Sequence, residues 1–334
     1  MTVKVRQPSI NLREKITELE KPGGVAGRDI LKAETPQEVF NYISAGRKNL
    51  IINGDFKVWQ RGTSITRSGG IQYGADRFWT YNGNAGTFEQ STDAPDGFVY
   101  SWFNNTAGAG AVGTTVELPS IGKSDFKKLT FSGYFKGTFG NIIFNYRNSA
   151  GNGANEVAIT TLNLSTTYTD WTKITFQINA TGITPNATNT ALHIEFTNVA
   201  SGARMTGLQL ERGDVATPFE YRSYGEELAL CQRYYQRGFA NGSLGVATTS
   251  TLSTFGFRLV TEMRATPSVG FNPGYSYMPC DMTHITGGYN WTPTNYRFKS
   301  TSGFCGYGSA ASAAGDRGNP IEVKEDALYA DAEL

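Results

Sequence analysis

The feature that most constrains the fold is an alternation of apolar and polar residues with a period of two, from residue 48 to about residue 222. In "LTFSGYFKG", Leu129 and Phe131 alternate with Thr130 and Ser132. The stretches "WTKITFQI" and "LHIEF" repeat the pattern, and turn segments such as "SAGNGAN" separate them. Side chains that point to one face at every second residue are the geometry of a half-buried β-strand. The sequence therefore predicts an antiparallel two-sheet sandwich over residues 48–222.

The residues on either side of this region follow other patterns, so the chain divides into four predicted segments. "YGEELALCQRYYQ" sets Leu228, Cys231 and Tyr235 at helical spacing. After Gly238 short alternating stretches resume and continue to the end of the chain. The predicted fold is mostly β: a short N-terminal helical segment (1–47), the antiparallel β-sandwich (48–222), one connecting helix (223–236) and a second, smaller C-terminal β-sandwich domain (237–334).

The N-terminal segment contains two short amphipathic helical patterns that need a partner. Thr35 and Glu38 form a capping box at the start of the second pattern. Helices of this length are not stable alone in water, so the segment is predicted to dock onto another protein or to oligomerise. A helical cap on the neighbouring sandwich explains the apolar stripes equally well. The candidates for an assembly interface are Leu12, Ile16, Leu19, Val39, Phe40 and Ile43.

Composition limits the classes of partner. Lys and Arg number 30 against 29 Asp and Glu, so the formal charge of +1 creates no long-range field that would gather nucleic acid or an anionic membrane. No apolar run approaches the roughly 18 residues of a membrane helix, and the start lacks the apolar core of a signal peptide. We therefore expect a chain that stays soluble in a cytosol, with no nucleic-acid partner and no membrane insertion. The three cysteines lack the spacing of a zinc site.

Residues with catalytic chemistry are sparse in the sequence. The two histidines, His193 and His284, form neither a zinc pair nor an obvious partnership with a nucleophile. A glycoside hydrolase needs only two carboxylates about 5 to 10 Å apart, but most acids here lie in turn sequences where they serve the backbone. No enzyme, metal site or cofactor is therefore predicted. The acids that could form a catalytic pair are Asp55, Asp76, Glu89, Asp93, Asp96 and Glu195.

Aromatic residues placed among glycine, proline, asparagine and aspartate indicate a different kind of site. Flat rings stack on the faces of sugars while neighbouring amides and acids bind the hydroxyl groups. The predicted glycan-binding residues are Tyr73, Tyr81 and Trp102 in the sandwich and Tyr275, Tyr277, Tyr289, Trp291 and Tyr296 in the C-terminal domain. Phe78 and Trp171 are instead predicted to lie in the core, as large aromatic side chains mostly do.

Several long stretches resemble the virion structural and tail-fibre-like proteins of tailed bacteriophages, including those of marine and cyanobacterial phages. They are "ETPQEVFNYISAGRKNLIINGDFKVWQRGTS", "YGADRFW", "LQLERGDVATPFEYRSYGEELALCQRYYQ" and the closing "YADAEL". The resemblance implies a virion protein that is assembled in the host cytoplasm and contacts other virion proteins through its N-terminal segment. It also implies a homotrimer, in which weak contacts with host-surface polysaccharide are multiplied by avidity.

Residues 48–222 also resemble a carbohydrate-binding-module jelly roll, because "NGDF", "FSGYFKG", "YTDWTKITFQI" and "MTGLQLERG" occur in that order. Such modules often hold a structural Ca²⁺ near the ends of the sheet, and this ion wants about six to eight oxygen ligands. Lys57 and Thr206 stand where an acid is usual, so the chain departs from the pattern at both positions.

Three functions are consistent with these observations. The first is a tail fibre or adhesin that attaches to host-surface glycan without catalysis. The second is a virion part that binds no host, such as a head decoration, a knob or a tail adaptor. The third is a glycan depolymerase. The exposed rings and the missing catalytic groups favour the first.

Overall fold

The computed structural model describes residues 48–67, 70–81, 86–105, 110–118, 127–147, 156–238, 244–247, 252–271, 278–282, 285–297, 300–310, 320–323 and 328–333. The first strands are β1 (Ser64–Arg67), β2 (Ile71–Tyr73), β3 (Phe78–Tyr81), β4 (Gly86–Ser91), β5 (Ser101–Asn104), β6 (Gly110–Glu117), β7 (Lys128–Arg147), β8 (Val157–Asn179), β9 (Ala191–Val199) and β10 (Arg204–Arg212). After the helix α1 (Tyr224–Gln232) come β11 (Tyr235–Arg237), β12 (Leu244–Ala247), β13 (Leu252–Arg258), β14 (Ser268–Phe271), β15 (Met278–Met282), β16 (Ile285–Arg297), β17 (Gly303–Ala310), β18 (Pro320–Val323) and β19 (Leu328–Asp331). The prediction of a mostly β chain is confirmed.

The first ten strands form one antiparallel sheet that folds over on itself through β7. The strand order is β1-β4-β5-β10-β7-β9-β6-β3-β2, and β8 pairs with β7. The first half of β7 pairs with β10 and its second half pairs with β9, so β7 belongs to both layers of the sandwich. The strand bends at Gly137, which has φ +95°, and a Cβ there would lie 2.7 Å from the Cα of Ala203. Glycine therefore supplies both the left-handed backbone and the space that the bend needs.

The core lies between the two layers and consists of the apolar positions that alternate along the strands. Phe131 and Phe135 from the first half of β7 contact Phe196 of β9, with ring centroids 6.1 and 5.9 Å apart. Phe78 is 1% exposed, as predicted. Because aromatic rings bury large apolar areas, these rings account for much of the contact that holds the layers together.

The connecting helix is shorter than the predicted span of 223–236. It starts at Ser223, whose side chain forms a capping box with Glu226, and it ends at Gln232. Tyr235 was predicted to lie on the helix, but it pairs with Asp331 as the first residue of β11. Backbone hydrogen bonding to β19 replaces the next helical turn, which the periodicity could not reveal. No helix in the described part of the chain has the length and apolar character needed to cross a membrane.

The C-terminal strands form two small antiparallel arrangements. Strands β11, β19 and β14 make a three-stranded sheet, and β12-β13-β17-β16-β15-β18 make a closed barrel. The predicted β character of these residues is confirmed, but most of their strands form a barrel where a sandwich was predicted. The barrel closes because β18 pairs with both β12 and β15, and such closure removes the open edges of the sheet. The predicted N-terminal helical segment and its interface residues lie outside the described residues.

A buried cluster of charged and aromatic groups joins the sandwich to the C-terminal residues. The guanidinium of Arg77 pairs with Glu333, lies 3.5 Å from the centroid of the Tyr234 ring and donates to the Thr115 carbonyl at 2.9 Å. Arg61 lies 3.5 Å from Glu333 Oε1. We call Arg61, Asp76, Arg77, Tyr234, Tyr235, Asp331 and Glu333 the joint. Arg77 is 1% exposed, so its charge depends on these partners for stabilisation.

The residues of the joint come from stretches of the sequence that resemble phage proteins. "VWQRG", "YGADRFW", "CQRYYQ" and "YADAEL" all contribute residues to it. The neighbouring "NGD" turn is also attached to another element, because the backbone N–H of Asn53 donates to Glu227 Oε1 of α1 at 2.6 Å. Several of the resembling stretches therefore contribute residues that connect elements of the fold.

We predict that Glu333→Gln lowers the free energy of unfolding by about 3 kcal/mol, because it removes the anion shared by two buried guanidinium groups. Asp331→Asn is the control: its side chain is 28% exposed, against 5% for Glu333, and the loss should be about 1 kcal/mol or less. Urea unfolding of the full chain measures both. Equal stability of the Glu333 variant and the wild type would contradict a stabilising role for the joint.

Candidate functional site

One outer face of the sandwich carries charged and aromatic side chains on β5, β10, β7 and β8. In the backbone register Arg204 lies opposite Phe103 on one side and Lys136 on the other. Along β7 the next residue on this face is Tyr134, which lies opposite Lys173 of β8. Alternation along the strands directs these side chains away from the core. The alternation of side chains that places apolar residues in the core therefore also places these residues on the outer face.

The connection between β4 and β5 lies against this face and brings two more side chains to it. Asp93 is anchored by its carbonyl, which accepts from Ser101 Oγ at 2.6 Å. The Phe98 ring lies 5.3 Å from the Tyr134 ring, centroid to centroid. A Cβ at Gly207, which has φ +62°, would lie 2.5 Å from the Phe98 ring. Only glycine leaves room for Phe98 at this bulge of β10.

Asp93 is the centre of a set of charge-assisted contacts. Its Oδ1 accepts from Trp171 Nε1 at 3.0 Å, and its Oδ2 accepts from Lys136 Nζ at 3.0 Å. Arg204 Nε lies 3.2 Å from the same Oδ2. Burial alone would raise the pKa of Asp93, but the hydrogen bonds from Trp171 and Lys136 and the charges of Lys136 and Arg204 lower it below its usual value. We call Asp93, Lys136, Trp171 and Arg204 the Asp93 site.

Partly exposed rings lie on the same face as the Asp93 site. Phe98 contacts Phe219 and Tyr221, with centroids 5.1 and 5.6 Å apart, and Tyr221 is 58% exposed. We call Phe98, Tyr134, Phe219 and Tyr221 the aromatic rim. Trp171 was predicted to be a core residue, and that prediction is wrong: its ring is only partly buried and its N–H bonds to a surface carboxylate. Rings beside fixed donors and acceptors can stack on an apolar ligand face and bind polar groups at its edge.

The predicted glycan-binding residues of the sandwich lie in three different places. Trp102 is 3% exposed and stacks against Phe88 in the core, so the prediction that it binds sugar is wrong. Tyr73 is partly buried with its ring 5.2 Å from the Arg61 guanidinium, beside the joint. Tyr81 is 55% exposed, on the other layer of the sandwich. Tyr289, Trp291 and Tyr296 lie in β16, and Tyr275 and Tyr277 fall outside the described residues. The roles of the C-terminal rings stay predictions.

The sequence identified Asp93 only as one of several acids. The polar positions of "FSGYFKG" would have indicated that Tyr134 and Lys136 share a face, because they are two residues apart in a strand. Their meeting with Asp93, Trp171 and Arg204 depends on the strand order, for which the sequence carries no local signal.

Each of the other candidate acids has its own surroundings. Asp55 Oδ2 lies 2.9 Å from Lys57 Nζ, and Asp76 is buried in the joint, where burial raises its pKa to about 6. Glu89 accepts from Ser64 Oγ at 3.3 Å. Asp96 is exposed in the connection between β4 and β5. Glu195 is half-buried on the outer face of β9, and burial raises its pKa.

The Ca²⁺ implied by the resemblance does not fit the residues at its expected position. The ammonium of Lys57 lies against Asp55 and donates to the Arg222 carbonyl at 2.6 Å, so a cation is already built into the chain there. Thr206 uses its hydroxyl to donate to the Tyr100 carbonyl at 2.7 Å. No group of three or more His, Cys, Asp or Glu side chains among the described residues could hold a metal ion.

His193 lies between an aromatic ring and a guanidinium on the outer face of the other layer. Its ring centroid is 4.9 Å from that of Trp79, and Arg147 Nη1 lies 3.2 and 3.3 Å from its two ring nitrogens. Burial and, secondarily, the Arg147 charge lower the pKa of His193 to about 3. The neutral ring is therefore packed between Trp79 and Arg147.

Comparisons with known proteins gave structural neighbours only. No family model and no curated protein matches the chain. A tailspike protein 4 enzymatically active domain of bacteriophage CBA120 is similar with a TM-score of 0.33 and 11% identity, over 49% of this chain and 21% of that one. The CBM22-1 xylan-binding domain of Paenibacillus barcinonensis Xyn10C is similar with a TM-score of 0.31 and 12% identity, over 51% of this chain and 99% of that one. A family 16 carbohydrate-binding module is similar with a TM-score of 0.27 and 19% identity, over 37% of this chain and 84% of that one. These scores are low, so the case for a function rests on the geometry of this chain.

We predict that His193 makes the fold sensitive to acid. The pKa of His193 is about 3 in the folded chain and about 6.5 in the unfolded chain. The stability that the neutral ring contributes is therefore fully present above pH 6.5 and is lost as the pH falls toward 3. When the pH falls from about 7.5 to about 5.5, protonation of His193 in the unfolded chain lowers the free energy of unfolding by about 1.4 kcal/mol. His193→Gln should lose less stability than wild type over that interval. Glu195→Gln placed in both proteins removes the carboxylate that lies 3.7 Å from His193 Nε2, and Asp76 changes both proteins alike, so the difference reports on His193. An equal loss of stability in the two proteins between the two pH values would contradict this assignment.

Proposed function

We propose that this protein binds glycan through the outer face formed by the Asp93 site and the aromatic rim, and that it is a tail fibre or adhesin of a phage virion. The phage assignment is supported by the resemblance of its long motifs. The glycan assignment is supported by the site itself. The two parts rest on different observations: the phage assignment rests on the resembling stretches, and the glycan assignment rests on the contacts around Asp93 and Trp171.

The observation that carries the proposal is the partly exposed Trp171 ring held beside a fixed carboxylate and two cations. Its N–H donates to Asp93, so the plane of the ring is set before a ligand arrives. A fixed ring lowers the entropy that binding must overcome. Asp93, Lys136 and Arg204 offer both acceptors and donors at the edge of the ring, which is the combination that the hydroxyl groups of a sugar require.

A virion part that binds no host is the alternative function, and a glycan depolymerase is the second alternative. A host-free structural role predicts that no glycan binds at any face. A depolymerase predicts steady release of reducing ends from host capsule or lipopolysaccharide, which an amide at Asp55, Asp76 or Glu195 would abolish. The proposed adhesin binds without release.

We predict that Trp171→Ala and Tyr134→Ala each weaken glycan binding by about tenfold, since a stacking ring typically contributes 1 to 2 kcal/mol. Tyr81→Ala is the matched control, because it removes an exposed ring of 55% accessibility from the other layer of the same sandwich. Affinity electrophoresis in gels that contain host polysaccharides measures the effect, and thermal melts confirm that each variant is folded.

A loss of binding in the Tyr81 variant alone would move the site to the other layer of the sandwich. A loss of binding with Tyr289→Ala and Trp291→Ala alone would move the site to the C-terminal strands, one of the two places that the sequence predicted. Absence of glycan binding by the wild-type chain would favour the virion part that binds no host.

A further inference from the structure

The Asp93 site contains more positive charge and more hydrogen-bond donors than its own carboxylate can use. Lys136 and Arg204 contribute two positive charges, and Asp93 contributes one negative charge. Lys136 Nζ carries three donors, of which one bonds to Asp93. Arg204 donates from Nη1 to the Gly202 carbonyl at 2.9 Å. Its Nε is buried 3.2 Å from Asp93 Oδ2, so the donors left for a ligand are on the terminal nitrogens of the guanidinium.

The guanidinium of Arg204 is also held in one plane. It lies 3.9 Å from the centroid of the Phe103 ring, which lies opposite it in the register of β5 and β10. Stacking of this kind orients the fork of N–H groups without consuming them. An oriented fork of donors recognises a planar anion through two parallel hydrogen bonds.

Further positive charge lies on the same face. Lys173 Nζ is 5.9 Å from the centroid of the Tyr134 ring, between the Asp93 site and the aromatic rim. Glu89 also lies on this face, opposite Phe103, but its Oε1 already accepts from Ser64 and Asn105. The nearest available partners for a ligand anion are therefore Lys136 and Arg204.

We propose that the ligand of this site is an acidic glycan, whose sugar carboxylate binds Lys136 and Arg204 while an adjacent sugar face stacks on Trp171. This inference rests on the proposed glycan-binding function and adds the class of sugar. Asp93 keeps the two cations in place and accepts hydroxyl groups. The anion of the ligand replaces the counter-charge that Asp93 alone cannot supply to Lys136 and Arg204, and the charges of Lys173 and Glu89 on the same face offset each other.

The test compares carboxylated and neutral polysaccharides as probes. Polygalacturonate, alginate and hyaluronan form the acidic set, and fully methyl-esterified pectin and dextran form the neutral set. Methyl-esterified pectin is the matched probe for polygalacturonate, because it has the same backbone without the charge. We expect at least one acidic probe to bind the wild-type chain at least tenfold more tightly than any neutral one. Binding should weaken as NaCl rises from 50 to 500 mM, since salt screens exposed charges.

Lys136→Met and Arg204→Lys are the diagnostic variants, and Lys128→Met is the matched control. Lys128 is on the same strand, pairs with Asp214 at 3.3 Å and is 62% exposed. It lies eight residues away from Lys136, at a distance of about 26 Å along β7. We expect the first two variants to bind the acidic probe about tenfold less tightly and the control to match the wild type. Arg204→Lys keeps the charge, so its loss reports on the planar fork.

Each remaining outcome overturns a defined part of the assignment. Wild-type binding to a neutral probe that is unchanged by Lys136→Met and Arg204→Lys, but lost in Trp171→Ala, overturns the acidic ligand and leaves the glycan-binding function intact. Acidic binding that Lys128→Met reduces as much as Lys136→Met overturns the site, because net charge alone then explains it. No binding to either set overturns both proposals.

Discussion

The rest of the sandwich depends on one long strand that is hydrogen-bonded into both of its layers. Because β7 pairs with β10 along its first half and with β9 along its second, the two sheets cannot slide past each other without breaking its ladders. The bend at Gly137 makes this continuity compatible with two packed layers. The same strand places Phe131 and Phe135 in the core and Tyr134 and Lys136 on the outside.

Charge is used in two different ways in this fold. In the joint, Arg61 and Arg77 are buried and matched to Glu333, Asp331 and Asp76, so the network holds the sandwich to the C-terminal residues. At the Asp93 site the ions remain partly exposed and the cations outnumber the carboxylate. A buried network must be satisfied internally, whereas an exposed one with donors to spare is suited to a ligand.

The stretches that resemble known proteins contribute to both regions. Arg77, Tyr234 and Glu333 come from such stretches and form contacts that connect β3 with the residues after α1 and β19. Phe219 and Tyr221 of the aromatic rim come from another part of the same stretches, and Tyr134, Lys136 and Trp171 come from "FSGYFKG" and "YTDWTKITFQI". The resemblance therefore does not by itself separate the framework of the fold from the proposed binding site.

By itself the sequence determined the β class, the alternation that separates core from surface and the burial of Phe78, because these depend on local period and hydrophobicity. Its assignments of Trp171 to the core and Trp102 to the surface were wrong, because a tryptophan's burial depends on which face of which strand it occupies. Only the tertiary structure decided that Asp93, Lys136, Trp171 and Arg204 meet, and that the C-terminal strands close into a barrel. Both results follow from pairings between strands far apart in the chain, and no local pattern encodes such pairings.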